Sequence, residues 1–118
     1  MQKTLQLEGL ASTDPLTGLF NRRHVVELAE REVKRARRYR RPLAVLLLSI
    51  DQFHAINNAH GQASTDAVLQ AVALRLQSAV RDLDLLGRFG PDEFIAILVE
   101  GDQASVVYVA ARCQRSVA

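Results

Sequence analysis

Two short apolar runs flank an acidic tight turn in the second half of the chain, and no other feature limits the fold as strongly. Leu85-Leu86 and Phe89 precede Gly90-Pro-Asp-Glu-Phe94, and Phe94-Ile-Ala-Ile-Leu-Val99 follows. That pattern is a β-hairpin with two adjacent carboxylates, Asp92 and Glu93, at its tip. Carboxylates held there by paired strands are hard oxygen donors, suited to a cation such as Mg²⁺ and through it to nucleotide phosphates. Acidic hairpin turns also serve solubility alone, so the meaning of the turn depends on the rest of the chain.

With 118 residues, the chain reads as one domain, large enough to bury a core. A composition 48% hydrophobic and 24% charged is that of a soluble globular protein, not a disordered or membrane-embedded one. Leu43–Leu48 and Phe94–Val99 are the longest apolar runs, far too short to span a bilayer, and no secretion signal is visible. Cys113 is alone, so no internal disulfide forms, which fits a cytoplasmic location. The net charge of +2 gives no reason to expect nucleic acid as a partner. Arg31, Lys34, Arg35, Arg37, Arg38, Arg40 and Arg41 nonetheless crowd one segment, with Glu27, Glu30 and Glu32 just before or among them. Acids then bases along a helix suit its macrodipole, so the segment reads as a solvated helix face; a polyanion-binding patch is the alternative.

Along the chain, residues 1–12 carry Leu5, Leu7 and Leu10 without a clean period and read as a linker or the end of an upstream helix; the domain proper is 13–118. Asp14-Pro15, Gly18 and Asn21 keep the next stretch irregular. Val26, Ala29, Val33 and Ala36 then fall at helical spacing between Arg22 and Arg40, and Pro42 stops the helix. Leu43–Ile50 reads as a central strand covered on both faces. Asn57–Gly61 reads as a loop, and Ser64 as the N-cap of a helix that buries Ala67, Val68, Ala71, Leu74, Leu76 and Val80. After the hairpin, Ala104–Val117 reads as a final helix. The order predicts an α/β (α+β) domain with a mainly antiparallel central sheet flanked by helices.

Several segments stand at a fixed relative spacing: Asp14-Pro-Leu-Thr-Gly-Leu-Phe-Asn-Arg-Arg23, Asp51-Gln-Phe53 after the first long strand, Asn57, Gly61, Asp66, Arg81-Asp-Leu-Asp84, and Arg88-Phe-Gly-Pro-Asp-Glu-Phe94. Together they resemble the GGDEF family, the diguanylate cyclase domains of bacterial signalling, from about residue 12 onward. The resemblance implies a nucleotide-cyclase-like fold and a reaction in which two such domains, a homodimer, each present one GTP. The 3′-hydroxyl of each GTP attacks the α-phosphate of the other with Mg²⁺ or Mn²⁺, giving cyclic di-GMP. An upstream sensor domain is the usual companion. Because family members continue into another strand and helix, this chain is expected to lack the last strand and helix.

By resemblance, Asp92 and Glu93 are the catalytic positions and Asp92 a metal ligand. The family's second metal carboxylate lies two residues before Asp51, where this chain has Ser49. Mg²⁺ in such sites keeps only one or two carboxylates besides phosphate oxygens, so losing one weakens the site severely. Pro91 stands where the family has the second glycine of the turn; it fixes φ and removes a backbone donor. The resemblance assigns Phe53, His54, Asn57 and Asp66 to the nucleotide site. Asn57 and Asp66 have side chains that can read a guanine edge; an Asx turn and a first-turn helix charge are the alternatives. His54, Asn58, His60, Gln62 and Thr65 depart from the family pattern. Arg81 and Asp84 match the family's inhibitory cyclic di-GMP site, with a helix-end salt bridge as the alternative. The expectation is a cyclic di-GMP signalling domain with impaired catalysis that binds GTP or cyclic di-GMP. An active cyclase and a purely structural dimerisation domain are the two alternatives.

Overall fold

The computed structural model describes residues 11–50 and 53–100, apart from the side chains of residues 54–56. The proposed linker up to residue 10, Asp51, the His54 side chain and the expected helix at Ala104–Val117 lie outside the described residues. The elements are α1 (Arg22–Tyr39), β1 (Leu43–Ser49), α2 (Phe53–His60), α3 (Gln62–Ala79), β2 (Leu85–Gly90) and β3 (Glu93–Val99). The three strands form an antiparallel sheet in the order β1-β3-β2. Helices lie on both faces, as the alternation of patterns predicts.

Helix α1 begins where Asn21 caps it, its side-chain oxygen accepting from the His24 N–H at 2.9 Å. It ends at Arg40, which takes the left-handed conformation (φ 53°, ψ 47°), and the Arg41 N–H closes back onto the Ala36 carbonyl at 2.8 Å. Val25 is its fully buried residue, while Val26 and Val33 are exposed. The buried stripe is therefore rotated by about one residue from the expected one. Apolar residues at both 25 and 26 left that choice to tertiary packing.

Two other expectations are corrected in the next segment. Asn57–His60 is not a loop but the second half of α2; the chain breaks only at Gly61, whose φ of 86° suits glycine. Gly61 is also the N-cap of α3, and Ser64 lies inside the first turn. On α3 the buried residues are Thr65, Leu69, Ala73, Leu76 and Ala79, whereas Leu74 is exposed. Alanine, leucine and valine occur all round this helix, so periodicity alone does not choose a face.

Register decides which side chains share a face. Leu48 pairs with Phe94, Leu46 with Ala96 and Ala44 with Leu98, and Leu86 pairs with Ala96 from the other side. These residues pack with α3 through Leu69, Ala73 and Leu76 to form the main core. The alternate row, Leu47, Ile95 and Gly87, lies on the opposite face, where Gly87 meets Val25 of α1. The expectation that Leu43–Ile50 forms a central strand covered on both faces is wrong for the described sheet. β3 is central, and Val45 and Leu47 of β1 are 54% and 56% exposed. A continuous apolar run looks the same at the centre and at an edge when one of its faces is left open.

Gly87 brings α1 against the sheet. A Cβ at this position would lie 2.7–2.9 Å from three atoms of the Val25 side chain. Valine is β-branched and fully buried here, so it has no free rotamer to escape into. Gly87→Ala is expected to destabilise the domain by about 1–3 kcal/mol in a denaturant titration, and adding Val25→Ala should recover part of that loss.

Candidate functional site

The acidic turn is the β2–β3 connection, with Pro91 and Asp92 as its central residues. Neither has positive φ, so proline is accommodated at the first central position of a type I-like turn. Such turns twist against the strands they join, and β2 absorbs the mismatch with a bulge: Arg88 pairs with Phe94 and Gly90 with Glu93, leaving Phe89 without a partner in the ladder. The Glu93 carboxylate folds back over Gly90, where a Cβ would meet its Oε1 at 2.6 Å. Across the sheet, Ser49 is the register partner of Glu93, and the Ile50 N–H donates to the Asp92 carbonyl at 3.0 Å. The structure thus brings Asp92, Glu93 and Ser49 to one end of the sheet. Among the described residues no three Asp, Glu, His or Cys side chains converge on a metal. The oxygen donors at the turn suit Mg²⁺ or Mn²⁺ only if ligand phosphates complete the shell.

Two residues that the sequence reading left without a role hold this turn. Arg88 donates through Nε to the Gly90 carbonyl (3.3 Å) and through Nη2 to the Pro91 carbonyl (2.8 Å), while Nη1 meets the Asp14 carboxylate (3.3 Å). Asp14 in turn accepts from the Thr17 N–H at 2.9 Å and the Thr17 hydroxyl at 2.8 Å. Partial burial pushes the Asp14 pKa up, but the Thr17 hydrogen bonds and the Arg88 charge outweigh it and hold the group below its ordinary value. Arg22 reaches the Phe89 carbonyl at 3.3 Å, its guanidinium 4.2 Å from the centre of the bulged Phe89 ring. The signal available in the sequence was Asp14-Pro-Leu-Thr17, an Asx-turn pattern whose carboxylate has a spare oxygen for a distant arginine.

Of the other candidates, Phe53 opens α2 and packs against the core. Asn57 is exposed on α2, its carbonyl accepting from Gly61 N–H at 2.8 Å, so it forms a helix end, not an Asx turn. Asp66 is half-buried in the second turn of α3, not the first. Arg81 and Asp84 lie at the opposite end of β3 from the turn, about 20 Å away along the strand. There Arg81 binds Asp84 bidentately, Nε to Oδ2 at 3.0 Å and Nη2 to Oδ1 at 2.9 Å, and Nη2 also donates to the Val99 carbonyl at 3.2 Å. The Asp84 side chain is fully buried. A cavity of about 420 Å³, lined in part by Arg35, Tyr39, Arg41 and Glu100, lies at that same end, remote from the acidic turn.

The family model described as "Diguanylate cyclase, GGDEF domain" matches residues 11–118. The chain belongs to the GGDEF domain family. The response regulator PleD of Caulobacter vibrioides is 42% identical over 108 residues, which is 92% of this chain and 24% of PleD. Diguanylate cyclase DosC of Escherichia coli is 36% identical over 104 residues, 88% of this chain and 23% of DosC. The chain thus spans about a quarter of the length of these relatives. In the solved complex of diguanylate cyclase SiaD with its activator SiaC from Pseudomonas aeruginosa, SiaD superposes with a TM-score of 0.86 at 34% identity. That match covers 95% of this chain and 43% of the other.

In this GGDEF domain the Asp14–Arg88 contact joins the start of the domain to its signature turn, and its strength depends on an ionised Asp14. Because the folded-state pKa is lowered, the stabilisation is fully present above the unfolded value of 3.8 and is lost as pH falls through the folded one. Asp14→Asn should therefore be less stable than the unmutated protein at neutral pH. In thermal melts taken from pH 7 to pH 2, the gap between the two should narrow below about pH 4.

Proposed function

We propose that this domain acts in cyclic di-GMP signalling as a nucleotide-binding, regulatory module whose cyclase chemistry is impaired. The observation that carries this reading is Ser49, a neutral hydroxyl at the strand end directly across from Glu93 and beside Asp92. An acid there would give a phosphate-bound Mg²⁺ or Mn²⁺ a second carboxylate; the hydroxyl leaves Asp92 as the principal charge. Pro91 adds to the effect, since it brings no N–H to the turn and its carbonyl is already held by Arg88. In this reading Asp92 and Glu93 keep the catalytic positions with little activity, and Phe53, His54, Asn57 and Asp66 receive guanine nucleotide. Arg81 and Asp84 are the cyclic di-GMP site. The domain proper begins near residue 13, works in the cytoplasm and as a homodimer, and is governed by an upstream sensor.

The test is incubation of the purified protein with GTP and Mg²⁺ or Mn²⁺, followed by chromatography for cyclic di-GMP. Turnover is expected to be on the order of 10² or more below an ordinary enzymatic rate, and Ser49→Asp should raise it. Unmutated protein turning over at about 1 s⁻¹ or faster would mean an active cyclase instead.

Titration with cyclic di-GMP separates the two ends of the sheet. Asp92→Ala should bind as the unmutated protein does, whereas Arg81→Ala should bind roughly ten- to a hundredfold more weakly. Arg81→Ala also leaves the buried Asp84 carboxylate unpaired, so its melting temperature must be measured alongside. Arg81→Lys keeps the charge but not the fork and should show an intermediate affinity. Absence of binding by the unmutated protein would leave Arg81 and Asp84 as a structural salt bridge.

A further inference from the structure

We propose that the C-terminal end of α1 is a docking site for an anionic phospholipid surface. Seven of the 15 lysines and arginines lie between Arg31 and Arg41, with Glu32 the one acid among them. Arg35 is paired with Glu32 and Arg41 with Glu100, each at 3.5 Å. Lys34, Arg37, Arg38 and Arg40 are exposed and have no acidic partner among the described residues. Four unneutralised cations thus project from the last turn and a half of one helix.

The helix macrodipole accounts for Arg37 and Arg38, which lie in the final turn near unsatisfied carbonyls. It also favours a cation at Arg40, the C-cap, but it does not account for the backbone conformation there. This residue holds a left-handed conformation at the helix stop, where glycine carries no Cβ penalty and any other L side chain does. An arginine kept in a strained position, facing solvent and without an ion-pair partner, suits a ligand outside the chain. Tyr39 is 59% exposed at the same point, with the Arg38 guanidinium 5.6 Å from the centre of its ring.

The shape of the patch favours a lipid surface over nucleic acid. It is the blunt end of a helix with no row of rings, and the cavity of about 420 Å³ beside it offers Tyr39 as its one aromatic ring and carries Glu32 and Glu100, whose charges disfavour a nucleotide chain. A tyrosine among guanidinium groups matches the headgroup layer, where an amphipathic ring sits between apolar and wet regions and clustered cations meet anionic lipid. No helix among the described residues is long and apolar enough to cross a membrane, so the contact would be peripheral.

The experiment is co-sedimentation of the full chain with phosphatidylcholine vesicles with or without about 30 mol% phosphatidylserine, at low and high salt. Binding is expected only to the phosphatidylserine vesicles and should be lost near 0.5 M salt, where charges are screened over a few ångströms. Each of Arg37→Gln and Arg38→Gln should weaken partitioning roughly fivefold. The deciding variant is Arg40→Gly, which relieves the left-handed arginine and removes one charge. It should melt at a higher temperature while partitioning roughly fivefold more weakly, and a merely structural Arg40 would not move both readouts in opposite directions. A raised melting temperature with unchanged vesicle binding overturns the proposal. So does absence of binding to phosphatidylserine vesicles, or charge-dependent retention on a DNA oligonucleotide without retention on vesicles.

Discussion

The Arg88 guanidinium is the contact on which the geometry of the signature turn depends. Its three nitrogens bind two carbonyls of the turn and the carboxylate of a residue seventy-four positions away. The Arg88 N–H also donates to the Phe20 carbonyl at 2.9 Å, so side chain and backbone of one residue both bind the loop before α1. A planar, permanently charged fork satisfies all of these partners at once; a lysine could hold one or two of them. The turn is therefore braced from below by protein groups, and Arg88 has little capacity left for a ligand. Its effect on the turn is the placing of Asp92 and Glu93.

This division of labour gives Ser49 and Pro91 their weight. The scaffold of the turn is complete: the bulge at Phe89, the hydrogen bond from Ile50 to Asp92 and the ladder position of Glu93 are all formed. The donor set that this scaffold presents includes a neutral hydroxyl at Ser49 and a proline ring without an N–H at Pro91. Both residues cost the fold little, because a proline that fits its native φ restricts the unfolded chain and a strand-end serine is readily solvated.

Legibility in the sequence followed the strength of local signals. The hairpin, the long first helix and the strand after Pro42 were readable because turn chemistry and apolar runs agreed on each of them. The buried face of α3 was not, since Ala67, Ala71 and Leu74 offer as plausible a stripe as Leu69, Ala73 and Leu76. Nor was the edge position of β1 in the sheet of described residues: Leu43–Leu48 contains nothing that says which of its two faces is covered. Candidate site residues at the turn were legible from their spacing. The contact between Asp14 and Arg88 is not legible in the sequence, because a contact between residues so far apart depends on where the sheet carries them.

At the other end of the sheet, Arg81 and Asp84 bind one another and the end of the central strand. The buried Asp84 carboxylate would be costly without a charge partner, and Arg81 supplies one in a two-point geometry. For Asp84 to accept from a guanine edge, it must give up a hydrogen bond from Arg81 or from the Arg81 backbone N–H at 2.9 Å. Arg81 is less constrained: part of its side chain is exposed, while Nη2 extends to the Val99 carbonyl at the far end of the central strand. An incoming anion would therefore meet the arginine first, with the aspartate holding that arginine in place. In this arrangement Asp84 orients the Arg81 guanidinium, and removing its charge would loosen the fork.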